Sequence, residues 1–244
     1  MSQRDAADAE RSRAEGSRTE EAERRHEDGR LRPAGAGKPV AGLATVAIVG
    51  TALFLVLIAS LHLLRPVMNP IARPTSEYAV GRVGYLMTLA FVCMSAATWA
   101  LVIGLRRDLS GLAQSPLGLG LLGVFGTCLL VAASFPVDLD GAPRTLAGTV
   151  HSINGPIAFL SLTVGTNLVS RRLNLDERWL PIHRIASVLA LIMIPLFIAG
   201  GVTAARETGA GIAQRILLVT FSTWFLLVAR RLRANAVKAL ASQA

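Results

Sequence analysis

Cysteine and charged side chains are both scarce in this 244-residue chain, and each scarcity removes a class of protein. Its two cysteines, Cys93 and Cys128, both fall inside apolar runs, so a disulfide framework and a thiolate metal site are excluded in favour of packing. Charged residues make up 17% of the chain against 52% hydrophobic, too few to coat a soluble domain. Beyond residue 40 there are seven Asp and Glu against sixteen Lys and Arg, and this imbalance produces the net charge of +9. A basic excess of that size fits nucleic acid. Here, however, the basic residues flank long apolar runs, the pattern of a membrane protein, and nucleic acid is not an expected partner.

The first forty residues differ from the rest. They hold nine basic and nine acidic residues with almost no large apolar side chain. Such a segment cannot bury enough surface to offset the entropy of ordering, so residues 1–40 read as a disordered, charged cytoplasmic tail. The charged stretch is too long, and the apolar run after it about twice too long, for a cleavable signal peptide, so that run reads as a signal anchor.

Six continuous apolar segments follow, each near the roughly 20 residues that cross a bilayer as helix. They fall at about Ala41–Leu64, Ala79–Leu105, Leu117–Phe135, Leu146–Val169, His183–Ala204 and Ile212–Leu232, leaving residues 233–244 as a short basic tail. Strands are excluded because the runs do not alternate. The fold class is therefore an all-α membrane protein, a six-helix bundle. Thirteen Lys and Arg flank the spans on the side holding Arg106, Arg107, Arg171 and Arg172, against six on the side holding Arg65, Arg73 and Arg144. The positive-inside rule then places both termini in the cytoplasm. Clustered small residues, Gly118, Gly120, Gly123 and Gly126 in span three and Ser95 to Ala97 in span two, suit close helix packing in lipid.

The polar motifs all land on the outer side. One loop carries Ser76-Glu77-Tyr78 before Arg82, a second carries Asp138 and Asp140, and the last span opens with Gln214-Arg215. Thr145, after Pro143, reads as the N-cap of the fourth helix. His151 sits six residues on, roughly 9 Å along the axis and just beneath the interface. A titratable ring there needs a partner, so His151, with Asp138 or Asp140 orienting it, is the candidate catalytic group. Arg82, Arg215, Ser76, Tyr78, Gln214 and Thr145 are the candidate substrate-binding residues. Arg82 and Arg215 start spans, where an unpaired charge is costly, and Arg–Asp pairing across the bundle is the expected resolution. His62 reads as an interfacial residue.

These motifs carry a resemblance. Ser76-Glu77-Tyr78-Ala79 with Gly81 and Gly84, the spaced run Phe135-Pro136, Asp138, Gly141, Thr145, Gly148 and His151, and the closing Gly211, Gln214 and Arg215 are similar to a prokaryotic membrane family catalogued as domain of unknown function 998. The resemblance covers about residues 42–232 and implies a six-span fold with an outer polar cluster, without supplying a reaction or cofactor.

Four functions compete. A membrane enzyme acting on a lipid or lipid-linked substrate would use His151 as base or metal ligand and the arginines for a head-group phosphate. No His-x-x-x-His pair is present, so a zinc hydrolase is weakly supported. A small-solute transporter lacks the carboxylate expected near the midplane. A haem held between His62 and His151 rests on a single possible pair. An accessory subunit contacting a membrane partner through its outer loops needs no chemistry.

Overall fold

The computed structural model describes residues 37–205 and 209–242, so the charged tail up to residue 36 and the loop residues Arg206 and Glu207 lie outside the described residues. Six long helices run in chain order: α1 (Gly37–Leu64), α2 (Gly84–Asp108), α3 (Pro116–Ser134), α4 (Leu146–Arg172), α5 (Leu180–Ala205) and α6 (Ala210–Ala241). Short 3-10 turns lie between them, and no strand is found among the described residues.

The surface is turned inside out relative to a water-soluble bundle. Val56, Leu191 and Val219 are 60%, 58% and 61% exposed while the hydroxyls of Thr51, Thr98 and Thr166 are buried. Only a hydrocarbon environment makes that arrangement cheap, and the protein is a multi-pass membrane protein. Five helices, α1, α2, α3, α5 and α6, are long and apolar enough to cross a bilayer. α4 is long enough but falls short in hydropathy, because His151, Asn154, Ser161, Thr163, Thr166 and Ser170 lie on its buried face. Its exposed stripe is apolar all the same: Ile153, Ile157, Leu160 and Val164 recur at helical spacing.

Packing is closest where side chains are smallest. A Cβ on Gly50 would lie 2.7 Å from the Cys93 carbonyl oxygen, so α1 crosses α2 at backbone contact. Gly118 and Gly165 bring α3 and α4 together in the same way, a Cβ at Gly165 falling 3.1 Å from the Gly118 carbonyl. At the centre, Phe125 of α3 meets Phe221 and Phe225 of α6 at ring-centroid distances of 5.8 and 6.3 Å, and Phe54 of α1 reaches Phe221 at 5.9 Å. Much of the buried polar face of α4 is satisfied across helices, although the Thr163 hydroxyl has no partner among the described residues. Asn154 donates to the Cys128 carbonyl at 2.9 Å, Asn167 to the Ala190 carbonyl at 2.7 Å, and the Trp224 indole to Ser170 at 2.9 Å.

Two boundaries differ from those read in the sequence. Ala79 ends a 3-10 turn, Thr75–Ala79, instead of opening a span, and α2 starts at Gly84. Gly81 with φ +101° and Gly84, whose Cβ would overlap the Ala79 carbonyl, reverse the chain there. The last helix runs to Ala241, carrying Arg233 and Lys238 on turns past Leu232, since nothing from Arg230 onward breaks a helix.

The basic end holds a buried ionic knot. Asp108, the last residue of α2 and 3% exposed, accepts from the guanidinium of Arg178 and the Trp179 indole, each at 3.0 Å. Arg178 also grips Asp176, which is 7% exposed, and its carbonyl accepts from Arg231 of α6. These contacts tie α2, the α4–α5 turn and α6 into one unit. The loops at this end read in sequence as short, basic and leucine-rich; the isolated acids Asp108 and Asp176 among arginines were the available signal.

Candidate functional site

The opposite end gathers most of the candidate residues, but in two separate clusters. The first is a lock between the α1–α2 loop and the first turns of α6. Gly211 allows the approach, because a Cβ there would overlap the carbonyls of Pro70 and Arg73. One turn on, the Arg215 guanidinium donates to those two carbonyls at 2.7 and 2.8 Å, to the Gly211 carbonyl at 3.0 Å and, through Nε, to His62 Nε2 at 2.8 Å. Its remaining nitrogen faces the Tyr78 hydroxyl at 3.4 Å. Tyr78 is fully buried and lies 5.1 Å, centroid to centroid, from the His62 ring. Gln214 secures the loop from the next position, its Oε1 accepting from the Thr75 amide at 2.7 Å and the Thr75 hydroxyl at 2.9 Å. Ser76 is buried within the same 3-10 turn.

The expected Arg–Asp pairing is thus corrected. Arg215 has no carboxylate partner among the described residues; carbonyl oxygens and an imidazole saturate it, which disperses its charge without a counter-ion. Arg82 is exposed and unpartnered among the described residues, and it does not join the cluster. The ion pairs at this end belong to Arg73, which meets Glu77 at 3.5 Å and also pairs with Asp140 across from the α3–α4 loop. His62, read as interfacial, is instead part of the lock. Its Nε2 accepts from Arg215, so Nδ1 carries the ring proton for the Ile58 carbonyl at 2.7 Å. With both nitrogens engaged, His62 offers no lone pair to a haem iron.

The second cluster caps α4. Thr145 is the N-cap, its hydroxyl accepting from the Gly148 amide at 3.0 Å. Asp138 accepts from the Thr145 amide and hydroxyl, both at 2.8 Å, and its carboxylate occupies the space of the missing Gly148 side chain. His151, 8% exposed, bonds through Nδ1 to the Phe135 carbonyl at 2.8 Å, fastening the end of α3 to α4. Asp138 therefore holds a helix terminus and does not bond His151. Asp140 turns away to Arg73. Among the described residues no three His, Cys, Asp or Glu side chains converge as a metal ion requires.

The two loop carboxylates respond to pH in opposite senses. The Thr145 amide and hydroxyl hold Asp138 below the usual aspartate range. Its contribution to stability is complete above about pH 4 and is lost as pH falls below that. Glu77 is raised, chiefly by burial and against the pull of Arg73. Its contribution is greatest below the ordinary glutamate value and declines as pH rises through the raised one. Thermal unfolding against pH should therefore change shape in opposite directions for Asp138→Asn and Glu77→Gln. Parallel curves for the two variants would contradict this assignment.

A groove adjoins the lock. About 260 Å³ of space lies between α4, α5 and α6, with Gly155, Gly200 and Gly201 on its floor, Phe159 and Leu217 on its sides, and Pro74 and Gln214 at its mouth. A Cβ built on any of those three glycines meets nothing within 4 Å, so the groove exists because these side chains are absent. The Thr75 amide can only donate, which fixes the Gln214 amide with its oxygen toward Thr75. Its NH2 group is left without a partner among the described residues, on the groove wall.

Searches of curated proteins and of solved structures return no match. The residues that build the lock and the α4 cap, from Tyr78 through Asp138 and His151 to Arg215, all lie within 48–231, which matches the model described as Protein of unknown function (DUF998), and the chain belongs to that family.

Proposed function

We propose that the protein binds a lipid, or a molecule carrying a lipid chain, in the groove between α4, α5 and α6, in a cell membrane that it crosses six times with both termini cytoplasmic. The supporting observation is the glycine floor of Gly155, Gly200 and Gly201 ending at the unpartnered Gln214 amide. An acyl chain is what the surrounding bilayer supplies to such a surface, and an ester or phosphate oxygen at its head is the acceptor the amide lacks.

Binding fits this geometry better than catalysis. Arg215 is engaged by three carbonyls and His62, Asp138 by the Thr145 amide and hydroxyl, and Asp140 pairs with Arg73. His151 is fixed through Nδ1 with no carboxylate on the ring. Apart from the exposed Arg82, the candidates from sequence shape and brace the loop end, and the free amide of Gln214 supports a contact with ligand.

The test uses the full chain in nanodiscs containing a phospholipid with a photoreactive acyl chain. Gly201→Leu and Gly155→Leu project side chains into the groove from Cβ positions that meet nothing within 4 Å, and adding a side chain to a helical glycine favours the helix by about 0.5–1 kcal/mol. Labelling of α4–α6 peptides is expected to fall several-fold while thermal stability holds or rises. Labelling undiminished in both variants would end the proposal.

A further inference from the structure

We propose that a second groove, between α2 and α3 at the basic end, is a binding site for an anionic phospholipid. It lies on a different helix pair from the groove at the loop end and stands independently of it.

The groove encloses about 530 Å³ and runs along α3 from Pro116 to Val131. Those sixteen residues rise about 22 Å, more than half of the roughly 30 Å hydrocarbon core, so the groove has the length of one leaflet. Its form follows from two glycines used differently. At Gly120 a Cβ would meet nothing within 4 Å, leaving an open floor. At Gly123 a Cβ would fall 3.1 Å from the Trp99 ring, so the indole lies flat on bare backbone and forms a wall without filling the space. Leu117 and Val124 beside the groove are 66% and 41% exposed, which places its opening toward hydrocarbon.

Its basic end is charged. Arg106 lines the groove, is exposed, and its guanidinium makes no hydrogen bond or ion pair among the described residues. The nearby Arg172 and Asp108 are committed elsewhere: Arg172 donates to the Gln114 carbonyl at 2.7 Å, and Asp108 is held by Arg178 and Trp179. Gln114 also lines the groove, and its amide nitrogen donates to the carbonyls of Arg106 and Leu109 at 2.8 and 2.9 Å, bracing the backbone beneath Arg106. An uncompensated guanidinium at the end of an apolar channel selects a ligand with an anion at one end and a chain behind it. A phosphodiester matches the planar donor fork, and the low dielectric at the membrane boundary strengthens the pair. A soluble anion would leave the channel unfilled, and a neutral lipid would leave the cation uncompensated.

The experiment places the full chain in phosphatidylcholine nanodiscs and titrates phosphatidylglycerol, counting bound lipid by native mass spectrometry. Saturable binding of phosphatidylglycerol over phosphatidylcholine is expected. Arg106→Gln should weaken it about tenfold, the effect of one charge-assisted interaction. Arg107→Gln serves as the control for general surface charge, since Arg107 is not part of the groove, and should leave binding within about twofold. Gly120→Leu occupies the floor from a Cβ position that meets nothing within 4 Å and should remove the saturable component while the protein unfolds at an unchanged or higher temperature. Equal loss in Arg106→Gln and Arg107→Gln, or full binding in a folded Gly120→Leu variant, would overturn the proposal. Because α4–α6 labelling reads the other groove, either proposal can fail without the other.

Discussion

Arg215→Lys should destabilise the protein by about 3 kcal/mol or more, despite preserving charge. The planar fork serves three carbonyls and His62 Nε2 from fixed directions, with Tyr78 at its edge. A lysine ammonium has three donors on a flexible stem and cannot span that set. At least two acceptors lose their donor, at about 1–3 kcal/mol each where the group is shielded from water. The loss should appear as earlier heat denaturation in detergent and as faster proteolysis within residues 65–83. His62→Ala should reproduce only part of it, because it removes one of the five contacts. An Arg215→Lys variant that denatures with the wild-type protein would show that the lock does not hold the loop.

Arg178→Leu is expected to cost about 3–5 kcal/mol, since it withdraws a guanidinium from two buried carboxylates, Asp108 and Asp176. A compensating change discriminates charge from shape. In the Arg178→Leu background, Asp108→Asn should recover part of the loss by removing one buried negative charge while keeping an acceptor for Trp179. Additive losses in the double variant would mean that the knot acts through packing instead. Equilibrium unfolding in mixed micelles, run as a double-mutant cycle, reads the coupling directly.

Much of the fold was legible because lipid imposes a simple rule, that a crossing segment must be long and apolar. α1, α3 and α5 met that rule plainly. The segment read at Leu146–Val169 is a helix, α4, although its hydropathy is lower; its N-cap Thr145 was visible in sequence, and its polar residues face inward. The loop end was less legible. That Asp138 caps a helix follows from a contact seven residues away, within reach of local reasoning. The partner of Arg215 is 153 positions distant, and no charge rule points to an imidazole and carbonyls over an available aspartate. Glu77 and Arg73 were overlooked for the same reason: their relation to Asp140 depends on how two loops fold across the bundle mouth. The basic-end knot was hidden differently, as isolated acids in arginine-rich turns look solvated until their burial is known.

The long separations in the lock also set an order of events during biosynthesis. Thr75 and Gln214 are 139 residues apart, and His62 and Arg215 are 153 apart. The α1–α2 loop therefore lacks its clasp from α6 when it first emerges from the ribosome. At the usual pace of translation its partners follow on the order of ten seconds later. A chain cut short before α6 would present Tyr78 and the bare carbonyls of Pro70 and Arg73 unclasped at the membrane surface.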